Sequence, residues 1–351
     1  MRGCADAGMR CLAAIEYDHR SCETLRMNAR RNPGVYPVDV EETDVRGVDW
    51  ARWRGVDVLT GGPPCQPFSL GGKSRAADDR RDMFPAMTAA VAALMPKAFI
   101  VENVGGLLRP RFSDYHRYIL ERLAHPRMGR ADGEEWVHHL RRLEHAGDGD
   151  YAVSETLADA ADYGVPQRRR RIIIIGVRRD LGIPAVMLPH PTHSGAALAA
   201  VQRSGEYWER RGIPDRGVLA PETGSDGLLP WVTVRDAFSV PKADNDPMDG
   251  LIPATAGTAY PGHTGSDPDL PSKTIKAGVH GVPGGENMLM TGEGPVPYSA
   301  RDAARLQTFP DDVAFSGSRS QAMRQIGNAV PVLLARIAAS AVMAAMNGRK
   351  V

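Results

Sequence analysis

The sequence lacks the features of membrane, secreted and fibrous proteins. No apolar run in its 351 residues reaches the roughly 18 residues that a membrane-spanning helix needs. Glu16 and Asp18 interrupt the first apolar stretch, so no export signal is expected. Hydrophobic residues make up 42% and charged residues 24%, which excludes a disordered tail, a fibrous repeat and a coiled coil. These absences predict a cytoplasmic protein with no membrane partner.

Cysteine and lysine are both scarce. The four cysteines form no Cys-x-x-Cys pair and no zinc-ligand spacing, so they predict reduced thiols and no metal site. A polar stretch holds His138, His139 and His145, which we expect at the surface rather than around a metal. The chain has 6 lysines against 37 arginines, at a net charge of +1. Arginine suits contacts with phosphate and guanine, but a GC-rich genome is the simpler explanation of this bias.

Short apolar runs alternate with helical patterns in the first half of the chain. The patterns predict strands at 11–17, 56–60, 98–101 and 171–177, and helices at 19–30, 83–94 and 115–123. Four consecutive isoleucines from Ile172 are typical of a strand buried on both faces. The alternation predicts an α/β fold with a mostly parallel sheet covered by helices.

The composition and periodicity of the sequence change after residue 179. Glycine, proline and turn dipeptides such as Pro261-Gly262 become frequent, and helical periodicity returns only at Ala300. Val332, Leu333 and Val342 then lie on one face of a predicted final helix. We expect a discontinuous first domain formed by residues 1–179 and 300–351, and a smaller, loop-rich domain formed by residues 180–299.

The most informative segment is GGPPCQPFS, from Gly61 to Ser69. It follows a predicted buried strand. Two glycines allow a tight turn and two prolines stiffen the approach to Cys65. In open α/β sheets ligands bind beyond the carboxyl ends of the strands. A thiol at this position is therefore placed for nucleophilic attack.

This segment resembles the Pro-Cys-Gln nucleophile motif of the cytosine-5 DNA methyltransferase family. Glu102-Asn103-Val104, the Gln-x-Arg-x-Arg pattern at Gln167, Arg169 and Arg171, and Gly327-Asn328-Ala329-Val330-Pro331 resemble further motifs in the family's order. The likeness spans nearly the whole chain. It implies an S-adenosylmethionine-dependent, Rossmann-like catalytic domain, with residues 180–299 as a target-recognition domain.

The resemblance assigns roles to residues around a flipped cytosine. Cys65 is the expected nucleophile, and Glu102 is expected to hold ring nitrogen 3 and the exocyclic amine. Arg169 and Arg171 are expected catalytic contacts to the flipped nucleotide and the nearby phosphate. The segment 70–81 is a candidate lid over the base. Substrate contacts are expected from Gln66, Ser69, Lys73, Arg80 and Gln167.

The sequence contains only part of the family's residues for binding the methyl donor. The resemblance implies that Glu16 binds the ribose hydroxyls and that Tyr17 stacks on the adenine of S-adenosylmethionine. It also implies that Asp44 lies near the adenine amine and Asn328 by the donor. The Phe-x-Gly-x-Gly strand and loop with which the family begins is not recognised, so we expect the chain as given to lack it.

The expected function is methyl transfer from S-adenosylmethionine to carbon 5 of cytosine in double-stranded DNA, through a Cys65 adduct. Alternatives are a catalytically impaired DNA-binding relative and a tRNA cytosine-5 methyltransferase. A bacterial monomer is expected, with a restriction or defence system as a further partner. Loop residues considered for DNA contact are Trp208, Trp231, Lys273, Thr274 and Lys276.

Overall fold

A computed structural model describes residues 1–37, 39–64, 82–224, 227–240, 246–248, 265–277 and 287–348. The chain divides into two compact units. The first unit comprises Met1–Glu42, Asp159–Arg169 and His190–Ile337, and the second comprises Thr43–Ala158, Arg170–Pro189 and Ala338–Val351. This division differs from the expected boundaries, because the N-terminal residues and most of 300–351 belong with the loop-rich region.

The first unit begins with a helix and a parallel strand pair. Helix α1 (Arg2–Asp6) precedes strand β1 (Ala13–Glu16), helix α2 (His19–Arg31) and strand β2 (Asp39–Glu42). Strands β1 and β2 pair in parallel. Asp18 caps α2 by accepting a hydrogen bond from the Ser21 backbone. This cap ends the strand-to-helix turn just after Glu16 and Tyr17, so both residues lie at the carboxyl end of β1.

The rest of the first unit consists of short elements and long loops. Its strands are β7 (His193–Ser194), β8 (Leu229–Pro230), β9 (Met288–Thr291) and β10 (Gly294–Pro297). Its helices are α6 (Gly195–Arg203), α7 (Glu206–Arg211), α8 (Val234–Phe238), α9 (Ala300–Leu306) and α10 (Arg319–Asn328), followed by the start of α11 (Val332–Met346). Ser299 and Ser318 form capping boxes for α9 and α10.

The second unit is built on a four-stranded sheet in the order β3-β4-β6-β5. Its strands are β3 (Val58–Gly61), β4 (Ala98–Val104), β5 (Tyr151–Asp159) and β6 (Arg170–Arg178), and its helices are α3 (Phe84–Leu94), α4 (Ser113–Ala124) and α5 (Trp136–Glu144). Strands β3 and β4 are parallel, whereas β4 and β6 are antiparallel. The α/β fold is confirmed, with a sheet of mixed direction.

The isoleucine run of β6 lies in the core of the second unit, as predicted. The four side chains from Ile172 to Ile175 are each at most 2% exposed. At Gly176 the neighbouring Phe99 ring occupies the side-chain position, since a Cβ there would lie 2.1 Å from the ring. The close packing of β4 against β6 fixes the register that pairs Val104 with Arg171.

The expected surface position of His139 was wrong, and the two tryptophans considered for DNA contact lie inside the protein. His139 is fully buried, and its ring contacts the Tyr118 hydroxyl at 2.9 Å and the Met128 carbonyl at 3.0 Å. Trp208 and Trp231 are also buried, at 2% and 4% exposure, within the apolar core of the loop-rich region. They therefore stabilise that region and present no ring to DNA.

One described stretch, Arg319–Met346, is long and apolar enough to cross a membrane by composition. The structure divides it into α10 and α11, with Pro331 at the break. Leu334, Ala338 and Val342 of α11 are fully or almost fully buried. This burial is typical of core helices in globular proteins.

Candidate active site

The chain on both sides of the predicted nucleophile is anchored in the second unit. Gly61 ends β3, and the Asn103 side chain donates a hydrogen bond to the Pro63 carbonyl at 3.1 Å. On the far side, Asp82 accepts hydrogen bonds from the Tyr115 hydroxyl and the Phe84 backbone. Cys65 and four expected substrate contacts, Gln66, Ser69, Lys73 and Arg80, lie between these anchors, outside the described residues, as does the candidate lid.

Glu102 and Arg171 meet at the end of the sheet. Antiparallel pairing of β4 with β6 brings their side chains together, and Arg171 Nε lies 2.7 Å from Glu102 Oε1. Both side chains are largely buried. Arg171 also donates through Nη1 to the Arg170 carbonyl at 2.8 Å. A partly buried, charge-assisted pair of this kind holds both side chains in fixed orientations.

The carboxylate of Glu102 lies beside the chain that leads to Cys65. A Cβ on Gly62 would lie 3.5 Å from Glu102 Oε2, which is ordinary van der Waals contact. Cys65 is three residues further along, and three residues span at most about 10 Å. Glu102 is therefore next to Gly62, the third residue before the expected nucleophile in the sequence.

Gln167 is buried in contacts that differ from the expected substrate contact. Its Nε2 donates to the Leu306 carbonyl and to Gln307 Oε1, both at 3.1 Å. Its Oε1 accepts from the Ile275 backbone at 3.0 Å. The amide is thus used in joining parts of the first unit.

Arg169 is also buried, at 2% exposure. Its guanidinium donates to the carbonyls of Ile275, Gly327 and Ala329 at 3.0, 2.7 and 3.0 Å. These bonds aim the group into the protein, so the geometry does not support its expected catalytic contact. Arg171, two residues on, is the arginine of this motif that pairs with Glu102.

Three of the expected donor-binding residues lie in the first unit. Glu16 Oε1 accepts hydrogen bonds from the backbones of Tyr17 and Asp18, at 2.8 and 2.9 Å. The Tyr17 side chain is 78% exposed, so its ring is free to stack on a planar ligand. Asn328 is exposed at the end of α10. A carboxylate, an exposed ring and an exposed amide are therefore present in the first unit, where the resemblance implies the adenosine half of the donor.

Asp44, the fourth expected donor-binding residue, belongs to the second unit. It follows β2 and begins a short helical turn by accepting from the Arg46 backbone at 2.9 Å. Hydrogen bonds from the Arg46 guanidinium and backbone lower the pKa of Asp44 to about 2. The carboxylate is therefore ionised at neutral pH and can accept a hydrogen bond from an amine.

The sequence assigned no role to two residues that hold the chain on either side of Cys65. Asn103 lies within the recognised Glu-Asn-Val motif, which was a signal for it, whereas Tyr115 carried no local signal. Among the described residues, no group of three or more metal-ligating side chains is found.

Comparison with known proteins agrees with these motifs. The model of the C-5 cytosine-specific DNA methylase family matches residues 2–209 and 264–344. Type II methyltransferase M.NgoMIV of Neisseria gonorrhoeae is 31% identical over 329 residues, which cover 94% of this chain and 88% of that protein. Type II methyltransferase M.PspPI of a Psychrobacter strain is 32% identical over 354 residues, covering 98% of this chain and 76% of that protein.

Solved structures show the same fold. A putative DNA modification methyltransferase encoded within an E. coli prophage has a TM-score of 0.59 at 20% identity, covering 98% of this chain and 95% of that one. The S. pombe Dnmt2 methyltransferase has a TM-score of 0.58 at 14% identity, covering 99% and 94%. With the family match, the relatives and the paired Glu102 and Arg171, the chain belongs to the C-5 cytosine-specific DNA methylase family.

Proposed function

We propose that Cys65 is the nucleophile with which this enzyme transfers a methyl group to carbon 5 of cytosine in duplex DNA. One observation carries the assignment of roles. The Glu102–Arg171 pair lies against Gly62, three residues before the only cysteine that follows a strand end within a Pro-Cys-Gln motif. The Glu102–Arg171 pair and the chain that leads to Cys65 therefore lie at one end of one sheet.

The chemistry begins at carbon 6 of the base. The Cys65 thiolate forms a bond to carbon 6, and the ring electrons that this displaces make carbon 5 nucleophilic. Glu102 supports the adduct by accepting a hydrogen bond from the exocyclic amine and, in its protonated form, by donating one to ring nitrogen 3. S-adenosylmethionine supplies an electrophilic methyl group. Carbon 5 takes the methyl as the methyl–sulfonium bond breaks, and S-adenosylhomocysteine leaves as the neutral thioether. Carbon 5 then loses its proton to a base, and the carbon 6–sulfur bond breaks to restore the aromatic ring and the thiolate.

Arg171 helps this chemistry by orienting Glu102. Its Nε holds Oε1 of the carboxylate, which leaves Oε2 on the side of Gly62. Arginine stays protonated at every relevant pH, so this orientation of Glu102 does not depend on a proton of Arg171.

The target cytosine has to leave the helix, because carbon 6 is inaccessible inside a duplex. Flipping costs a few kcal/mol, which contacts to the extruded nucleotide and its flanking phosphates offset. We assign these contacts to residues beside Cys65, with Gln66 and Ser69 close to the base and Lys73 and Arg80 at the phosphates.

The donor is held by residues whose geometry suits its adenosine half. Oε1 of Glu16 is fixed by two backbone N–H groups, which orients the carboxylate toward ribose hydroxyls. The exposed Tyr17 ring stacks on the adenine, and ionised Asp44 accepts from its amine. Asn328 contributes its amide. We further propose a monomer that acts in the cytoplasm beside a restriction or defence partner, with residues 180–299 recognising the target.

Covalent trapping tests the nucleophile. Duplex DNA with 5-fluorocytosine at the target traps the enzyme, since fluorine at carbon 5 blocks elimination. We expect the wild type and the half-buried control Cys4→Ala to be trapped on a peptide containing Cys65, and Cys65→Ala to give no adduct. A trapped peptide containing Cys11 or Cys22 would overturn the assignment. Transfer to tRNA but not to duplex DNA would overturn the substrate class.

A further inference from the structure

Buried side chains hold the turn that carries Asn328. Arg169 Nη2 donates to the carbonyls on both sides of Asn328, Gly327 at 2.7 Å and Ala329 at 3.0 Å. Gln307 Nε2 donates to the Ile326 carbonyl at 2.6 Å and again to Ala329 at 3.1 Å. Because these carbonyls point inward, the Asn328 side chain between them lies at the surface.

The same guanidinium also holds a second segment, residues 272–277. Arg169 Nη1 donates to the Ile275 carbonyl at 3.0 Å. The Arg168 backbone N–H donates to the Ser272 carbonyl at 2.8 Å, and the Arg168 carbonyl accepts from the Thr274 hydroxyl at 2.6 Å. These bonds hold the segment at Ser272, Thr274 and Ile275.

The two segments are in direct contact with each other. A Cβ on Gly327 would lie 2.4 Å from the Ala277 backbone nitrogen, so only glycine permits this approach. The segment carries Lys273 and Lys276, whose side chains are partly exposed. The buried Arg169 guanidinium therefore bonds both to the turn that carries Asn328, a proposed donor-binding residue, and to a partly exposed stretch with two lysines.

An arginine suits this task where lysine does not. Burying a cation is costly unless its hydrogen bonds are made. The planar guanidinium presents several N–H donors in a rigid fork, whereas the lysine ammonium is a compact group on a flexible stem. Only the fork can bond to Gly327, Ala329 and Ile275 at the same time, so it fixes their relative positions.

We propose that Arg169 is a positioning residue that couples donor binding to DNA binding, by holding the Asn328 turn and the 272–277 segment as one body. The proposal rests on the proposed function, in which Asn328 contacts the donor. A donor that contacts Asn328 stabilises the turn further and, through Arg169, the segment that carries Lys273 and Lys276, which we assign to DNA phosphates, so DNA binds more tightly. Reciprocity requires DNA to raise donor affinity by the same factor.

Binding measurements test this coupling without using methyl transfer. The dissociation constant of an unmodified target duplex is measured with and without S-adenosylhomocysteine, and that of S-adenosylhomocysteine with and without duplex. We expect a coupling factor of at least about fivefold in the wild type, within the usual range for linked sites. In Arg169→Lys the coupling factor is expected to fall to about two or less, which means almost no coupling. In the neighbouring control, Arg168→Lys, the coupling factor is expected to equal that of the wild type.

Hydrogen exchange on the wild-type enzyme provides a measurement that does not depend on a variant folding. S-adenosylhomocysteine alone is expected to slow amide exchange in residues 272–277 as well as around Asn328. Protection around Asn328 without protection of 272–277, or an unchanged coupling factor in Arg169→Lys, overturns the proposal. Failure of the proposed function is distinguishable, because it abolishes Cys65 trapping while leaving these binding constants measurable.

Discussion

Replacing Asn103 by alanine removes the side chain that joins β4 to the segment before Cys65. The residue is 2% exposed, donates to the Pro63 carbonyl at 3.1 Å, and accepts from the Val104 backbone at 2.8 Å. A buried polar group that loses its partner costs about 1–3 kcal/mol. Two groups lose a partner, but both Pro63 and Val104 are half-buried and can bond to water, so we expect Asn103→Ala to lower the free energy of unfolding by about 1–3 kcal/mol.

The effect on catalysis follows from the position of Pro63. Cys65 lies two residues beyond this carbonyl, and a displacement of about 1 Å at a reacting group costs on the order of 100-fold in rate. We therefore expect single-turnover methyl transfer to slow by about 100-fold at saturating duplex and donor. Denaturant titration and quenched single-turnover assays on the same preparation measure the two quantities.

Two further variants separate anchoring from general destabilisation. Asn103→Asp keeps an acceptor for Val104 but sets a carboxylate oxygen against the Pro63 carbonyl, so it should be as slow as alanine. Asn28→Ala removes another fully buried asparagine, which bonds to Ala314 in the first unit. It should lose similar stability while keeping the wild-type rate per folded molecule. A wild-type rate in Asn103→Ala, or an equal loss in Asn28→Ala, would refute this reasoning.

Two other predictions concern the base-binding carboxylate and a buried histidine. Glu102→Gln should slow transfer by about 100-fold or more, in line with loss of acid–base support, with little change in duplex affinity; an equal loss of binding in a gel-shift titration would indicate a structural role. Burial lowers the pKa of His139, so its neutral form is favoured in the folded state. Stability from this group is present above the unfolded pKa of about 6.5 and is lost as pH falls. Denaturation from pH 7.5 to 5.5 should therefore show a smaller loss in His139→Gln than in the wild type, while the exposed neighbour control, His138→Gln, should match the wild type.

The sequence by itself determined which segments are strands and helices wherever periodicity was strong. The predicted helix at 19–30 is α2, and the predicted strand at 171–177 is β6. Both are local patterns: a helical segment stopped by Asn32-Pro33, and one uninterrupted apolar run. The Glu-Asn-Val and Gly-Gly-Pro-Pro-Cys-Gln motifs were visible because each is contiguous and comes directly after a predicted strand, although β4 extends through Glu-Asn-Val to Val104.

Only the tertiary structure decided which polar side chains meet. Arg169 and Arg171 stand two residues apart in one motif, yet one bonds to carbonyls far along the chain and the other to Glu102. The antiparallel pairing of β4 with β6 decides the second contact, and neither strand's composition encodes its direction. Likewise, His139 is buried because Tyr118 and Met128 supply its partners. A side chain's role depends on partners distant in sequence, which residue type and spacing do not specify.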